Sequence, residues 1–120
     1  MMNWYVQQIV VRFGVIRMAK VEDCTHMELY DIAYADIELV GSKIILCLYL
    51  RDIRTEVLLK RVSISATNIP KFLKQSEKGS LLKLRGLCVR CLINEFREIN
   101  YVSLLEYDWI FCQDLHIMEG

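Results

Sequence analysis

Apolar and polar residues alternate along most of this chain, and twice the alternation slips by one residue at a glycine. In residues 5–20, Ile9, Val11 and Phe13 alternate with Val10 and Arg12; Gly14 intervenes, and Ile16 and Met18 carry the other phase. In residues 82–91, Leu82 and Leu84 alternate with Lys83 and Arg85; after Gly86 the apolar phase passes to Leu87, Val89 and Cys91. A one-residue slip would turn an apolar row to the opposite face of a strand. A bulge with glycine at the extra position absorbs it and bends the strand. The pattern therefore predicts bends at Gly14 and Gly86. Ile9, Val11, Phe13, Leu82, Leu84, Leu87 and Val89 are expected inside, and Lys83, Arg85 and Arg90 form an outward row.

The remaining segments fit a small curved sheet. Residues 43–52, KIILCLYLRD, read as a strand buried on both faces. They stop at the polar turn RDIRT, and residues 56–65 return as its hairpin partner. Residues 67–80 predict one short helix, with Thr67 or Asn68 at the cap, Pro70 in the first turn and Gly79 at the end. A hairpin turning at INEF follows, and residues 97–111 form the last long strand. Residues 24–40 alternate only in part and are read as a long connection between the first two strands. The sum is one domain, residues 1–120, mainly β: five strands with a short helix between the third and fourth. That is the plan of the OB-fold, a partly open five-stranded barrel.

Composition narrows the class. Hydrophobic residues make up 54% of 120, enough for a packed core. The longest apolar run, IILCLYL, falls far short of the roughly 20 residues of a membrane helix, and MMNWYVQQ lacks the features of a secretory signal. No membrane association is expected. Five cysteines without framework spacing point to free thiols in a reducing compartment. Cys88 and Cys91 form a lone C-x-x-C whose members face opposite sides of a regular strand, and His26 and His116 are distant, so no metal or cofactor is expected.

The formal net charge is +0, but it is unevenly distributed. Residues 1–20 hold three cations and no acid, net +3; residues 21–42 hold six acids and no Lys or Arg, net −6. Residues 43–90 hold eleven cations against three acids, net +8; residues 91–120 hold one cation against six acids, net −5.

FGVIRMAK, CLYLRDIRTEVLLKRVSI and IPKFLKQSEKGSLLKLRGLCVR together resemble the protection-of-telomeres type of telomere end-binding OB domain over about residues 10–112. GSLLKLRGLCV matches that family's phrase before its fourth strand, with Ser80 in place of the usual acid. The resemblance implies a nuclear single-stranded DNA-binding domain, or a subunit of such a complex, with G-rich telomeric DNA as ligand. The DNA would lie across the second and third strands, flanked by the connections between strands one and two and strands four and five.

Binding of this kind needs cations for phosphates and aromatic faces for bases. The candidates are Arg17, Tyr34, Tyr49, Arg51, Arg54, Lys60, Arg61, Phe96 and Arg97. The alternative is a protein-interaction OB subunit of a replication-protein-A-like or telomere-capping assembly. Its partner, or a second copy of the chain, would dock on Trp4, Tyr5, Trp109 and Phe111, large apolar groups near the chain ends. No G-x-S-x-G, P-loop or metal quartet is present, so no enzymatic activity is expected.

Overall fold

The computed structural model describes residues 9–11, 14–16, 21–76, 81–104 and 106–115. Among the described residues the protein is mainly β, with one short α-helix and seven strands in one antiparallel sheet.

Within residues 5–20 the described residues form two short strands, where one bent strand was expected. β1 (Ile9–Val11) and β2 (Gly14–Ile16) pair with each other as a hairpin, with Val11 opposite Gly14. The side chains of Ile9 and Val11, and Phe13 as a whole, lie outside the described residues.

The segment read as a connection is the longest strand, β3 (Cys24–Val40). It pairs with β4 (Lys43–Asp52) through a two-residue turn at Gly41 and Ser42. Gly41 has φ +63, which glycine takes without strain at the head of a tight hairpin turn. The partial alternation of residues 24–40 has a physical cause. Ile32 pairs with Leu50 and Tyr34 with Tyr49, so Ala33 is an extra residue, a β-bulge. Before it Tyr30 and Ile32 are buried in the core; after it the inner phase passes to Ala35, which packs on the core, while Ile37 beyond it is 43% exposed.

Gly86 serves that bulge from outside. Residues Leu81–Leu84 form a 3-10 turn, not a strand, which leaves Leu82 85% exposed while Leu84 is buried. Gly86, at φ +87, follows in a turn. Its N–H donates to the Ile32 carbonyl (2.8 Å), and the Ile32 N–H donates to the Leu87 carbonyl (2.9 Å). The register slip expected at Gly86 therefore resides in the neighbouring strand, at Ala33.

β5 (Leu58–Ser65) pairs with β4 beyond the turn at residues 53–57, where the Asp52 carboxylate accepts the N–H groups of Arg54 (2.7 Å) and Thr55 (3.3 Å). Helix α1 (Ile69–Leu73) has Pro70 in its first turn and buries Phe72; Asn68 sits at its N-cap without a side-chain hydrogen bond. β6 (Cys88–Asn94) and β7 (Ile99–Leu104) form the next hairpin. The last expected strand is broken: β7 ends at Leu104, and β8 (Ile110–Phe111) and β9 (Gln113–Asp114) follow as separate short pieces.

The sheet order is β8-β7-β6-β3-β4-β5-β9. Residues 110–115 therefore touch both ends of the sheet. β8 pairs with β7, Cys112 N–H donates to the Asn100 carbonyl (3.0 Å), β9 pairs with β5, and Leu115 N–H donates to the Arg61 carbonyl (2.7 Å). The core faces inward from β3 to β7: Ile32, Leu46, Leu48, Leu50, Val62, Ile64, Val89, Ile93, Ile99 and Val102 are sealed from solvent, with Phe72 and Leu84. Cys47, Cys91 and Cys112 are buried and all five cysteines are free thiols. Burial pushes the Cys47 thiol up to about 11 and the Cys91 thiol higher still. Among the described residues no helix is long and apolar enough to cross a membrane, and no cluster of His, Cys, Asp or Glu could hold a metal ion.

Candidate nucleic-acid interface

After the bulge, β3 turns its even-numbered side chains to the outer face of the sheet. Register then sets Tyr34 beside Tyr49 on β4, and Tyr49 beside Arg61 on β5. The tyrosine ring centroids lie 5.5 Å apart at a tilt of 50°. The Arg61 guanidinium carbon sits 5.9 Å from the Tyr49 ring centre. Tyr34 is 51% exposed, so one ring of the row is open to a ligand while the other is half-covered.

Beside this row lies a cleft of about 310 Å³ lined by Glu38, Val40, Lys43, Ile45, Arg61, Ser63, Gln113 and Leu115. Glu38 Oε2 accepts the Tyr49 hydroxyl at 2.7 Å. That bond, and then partial burial, push the Tyr49 phenol up to about 12. Arg61 Nε is buried without a hydrogen-bond partner. The face carries both signs: Asp31, Asp36 and Glu38 stand among Lys43, Arg51 and Arg61, with Asp31 directly opposite Arg51.

The other expected cations are engaged elsewhere. Lys60 points to the inner side, where its Nζ donates to Asp114 Oδ2 (3.2 Å) and to the Arg97 carbonyl (2.9 Å). The Asp114 side chain is only 3% exposed, and Oδ2 also accepts the Ile99 N–H (2.9 Å), while Oδ1 has no partner. Arg54 is exposed on its turn and pairs with Asp52 at 3.5 Å. Asp52 is held below the usual carboxylate range, first by the Arg54 backbone N–H.

The β6–β7 turn is shaped by Asn94, whose side-chain oxygen accepts the N–H groups of Phe96 (2.8 Å) and Glu98 (3.0 Å). It leaves Phe96 64% exposed and holds Arg97 at φ +67. The Arg97 guanidinium donates to His26 Nε2 (2.8 Å) and lies 3.7 Å from Glu28. Arg17, Trp4 and Tyr5 lie outside the described residues.

Of the expected partner residues, Trp109 and Phe111 belong to a second outer face, built on the first half of β3 with β6, β7 and β8. Register aligns Met27, Leu92, Tyr101 and Phe111 in one row across four strands. The Tyr101 and Phe111 rings meet edge-on at 5.7 Å. Leu29 and Arg90 form the adjacent row, and the Arg90 guanidinium lies 4.3 Å from the Trp109 ring centre. Arg90 also donates to Ser103 Oγ (2.7 Å) and to the Tyr107 carbonyl (2.5 Å), so it pins Trp109 to the protein's own sheet. Met27 and Leu29 remain 48% and 45% exposed.

Brought together, then, are Tyr34, Tyr49 and Arg61 on one face, and Trp109 and Phe111 on the other. Lys60, Arg54 and Arg97 are held apart from the tyrosine row by acidic partners. Glu38, Lys43, Ser63 and Gln113 were not anticipated as site residues, because their convergence depends on β3 and β9 being strands. Comparison of the chain with family models, curated proteins and solved structures finds no match.

Proposed function

We propose that this chain is a single-stranded DNA-binding domain of OB type, akin to telomere end-binding domains and working as part of a nuclear assembly. With Cys24–Val40 as the first strand, β4, β5, α1, β6 and β7 follow in the OB order, with the helix between the third and fourth strands. On that assignment the Tyr34–Tyr49–Arg61 row lies across the first three strands on the side where such folds take oligonucleotides. This row is the observation that carries the reading: an open aromatic ring, a second ring and a guanidinium in one line suit stacked bases more than a run of phosphates. The balanced charge of the face supports weak dependence on salt.

The test is a fluorescence-anisotropy titration of G-rich single strands, with duplex DNA and RNA as controls. Single strands should bind best, and Tyr34→Ala should weaken binding by about 1–3 kcal/mol, the worth of one stacked base. No binding, or equal affinity in the variant, contradicts the reading.

The second reading, a protein-interaction subunit, is favoured by the Met27–Leu92–Tyr101–Phe111 row. Its half-exposed thioether and aliphatic groups have no use in phosphate binding. Sedimentation of wild type and Met27→Glu addresses self-association. A wild-type oligomer that the variant dissociates supports the second reading, and a monomeric wild type removes the homo-oligomer form of it.

A further inference from the structure

We propose that the open edge of β3, residues 34–40, takes an added β-strand from a partner protein, an extended segment in which basic and apolar residues alternate. The inference does not rest on the single-strand reading, and its surface is not the Met27 row. β3 pairs with β6 only through residues 24–31, and beyond Ala33 it has β4 on one side alone. Ile32 spends both backbone groups on the 86–87 turn: its N–H donates to the Leu87 carbonyl and its carbonyl accepts the Gly86 N–H. Ile32 and Leu50 are therefore a non-hydrogen-bonded pair in the antiparallel β3–β4 ladder. Every second residue of β4 repeats that relation, in the pairs Ala35–Leu48, Ile37–Leu46 and Leu39–Ile44. Ala35, Ile37 and Leu39 thus turn N–H and C=O to the open side. No backbone group of a described residue meets them there.

Natural sheets blunt such an edge with Lys, Pro or an inward-facing charge. Residues 34–40 have none of these. Their inner side chains beyond Ala35 are bare and apolar: Ile37, Leu39 and, across from Leu39, Ile44 are all exposed. An added strand would cover them with an apolar residue at every second position. Its other positions would lie on the outer face beside Asp36 and Glu38. Neither acid forms an ion pair with a described residue, and across β4 they meet Cys47 and Ile45. Basic side chains on the added strand supply the missing cross-strand charge. The same acids argue against a second copy of this chain as the occupant. Two β3 edges laid antiparallel, with Ile37 opposite Ile37, would set each Asp36 beside a Glu38, a destabilising like-charge pair. Strand addition takes its affinity from main-chain hydrogen bonds and its specificity from alternate side chains, and this edge offers both.

The experiment titrates the full chain into fluorescein-labelled, end-blocked peptides of about eight residues, an ordinary strand length. One alternates Lys with Val and one alternates Glu with Val. Two more are the Lys–Val peptide N-methylated on its valines only or on its lysines only. The Lys–Val peptide should bind at least about tenfold tighter than the Glu–Val peptide, because like charges along a strand pair oppose binding. Methylation of the one phase that faces β3 should abolish binding, and methylation of the other should leave it within about threefold, since a strand presents alternate N–H groups to each neighbour. Ile37→Pro removes an N–H that the β4 ladder does not use, and an edge strand accepts proline there. Its melt should stay close to that of wild type while peptide affinity falls about tenfold. If that variant fails to fold, the methylated peptides on wild type decide. No binding of the Lys–Val peptide, equal binding of the two charge patterns, or tolerance of methylation in both phases overturns the inference. A wild-type dimer in sedimentation that Ile37→Pro dissociates gives the edge to a second copy, and overturns it too.

Discussion

The two outer faces of this sheet share one strand and differ in chemistry. On the first half of β3, Met27 and Leu29 look outward beside Leu92, Tyr101 and Phe111; on the second half, Tyr34, Asp36 and Glu38 look outward beside Tyr49 and Arg61. A single residue, Ala33, separates them. Because side chains alternate with period two, the bulge exchanges the outward phase from odd to even positions while the core-facing row stays continuous. One strand thereby presents an apolar surface at one end and a phenol–carboxylate–guanidinium surface at the other.

Deleting Ala33 should break this division with the largest effect. One half of β3 would have to turn its core residues outward, so the cooperative thermal melt should be lost or shifted down by tens of degrees. A melt like that of wild type would contradict the role given to the bulge.

The next largest effect concerns the C-terminal segment that touches both sheet ends. Asp114→Ala leaves Lys60 without its partner and frees the Ile99 N–H. Breaking a buried pair costs about 3–5 kcal/mol; with Lys60 partly exposed, the expected loss is about 2–3 kcal/mol in urea unfolding. A double-mutant cycle with Lys60→Ala separates the pair from the backbone bond, and additive losses would mean the two residues do not interact.

Trp109→Ala follows. A fully buried Trp loses about 3–5 kcal/mol on truncation, and Trp109 is half-buried under Arg90, so a loss of about 2 kcal/mol is expected. A change below about 0.5 kcal/mol would free Trp109 from its packing role, since surface substitutions fall in that range.

Much of the fold was readable in the alternation: the β4–β5 hairpin and its Asp52 turn, the helix opening at Pro70, and the β6–β7 turn at Asn94 all stand where the pattern puts them. The first strand was not. Residues 24–40 lose their alternation at Ala33, and nothing at that position announces a bulge as a glycine would. The glycine marking the site, Gly86, belongs to another segment and reaches Ile32 only through the fold. The candidate site suffered the same way. Once residues 24–40 are a strand, the two-residue turn at Gly41 and Ser42 sets Val40 opposite Lys43 and, counting back, Tyr34 opposite Tyr49. Lys60 and Arg61 are adjacent and looked equivalent, but strand alternation sends one inward to Asp114 and the other outward to Tyr49.

The smallest expected effect is alkaline. The Cys47 thiol and the Tyr49 phenol stay protonated in the folded protein above their ordinary values of 9.0 and 10.0, up to about 11 and 12. Between those limits the unfolded chain has released protons that the folded one keeps, so stability present below pH 9 is lost as pH rises from about 9 to 12. Melting temperature should be level below pH 9 and fall above it. Tyr49→Phe should make the fall shallower, and an identical pH profile in the variant would remove Tyr49 from the effect.

The most direct measurement of the division between the faces is amide chemical-shift mapping of the labelled protein with a short single strand. Binding should shift Tyr34, Tyr49, Arg61 and Ser63 and leave Met27, Leu92, Tyr101 and Phe111 unmoved. Shifts confined to the second group, or none at saturating strand, would contradict the assignment of the tyrosine face to nucleic acid.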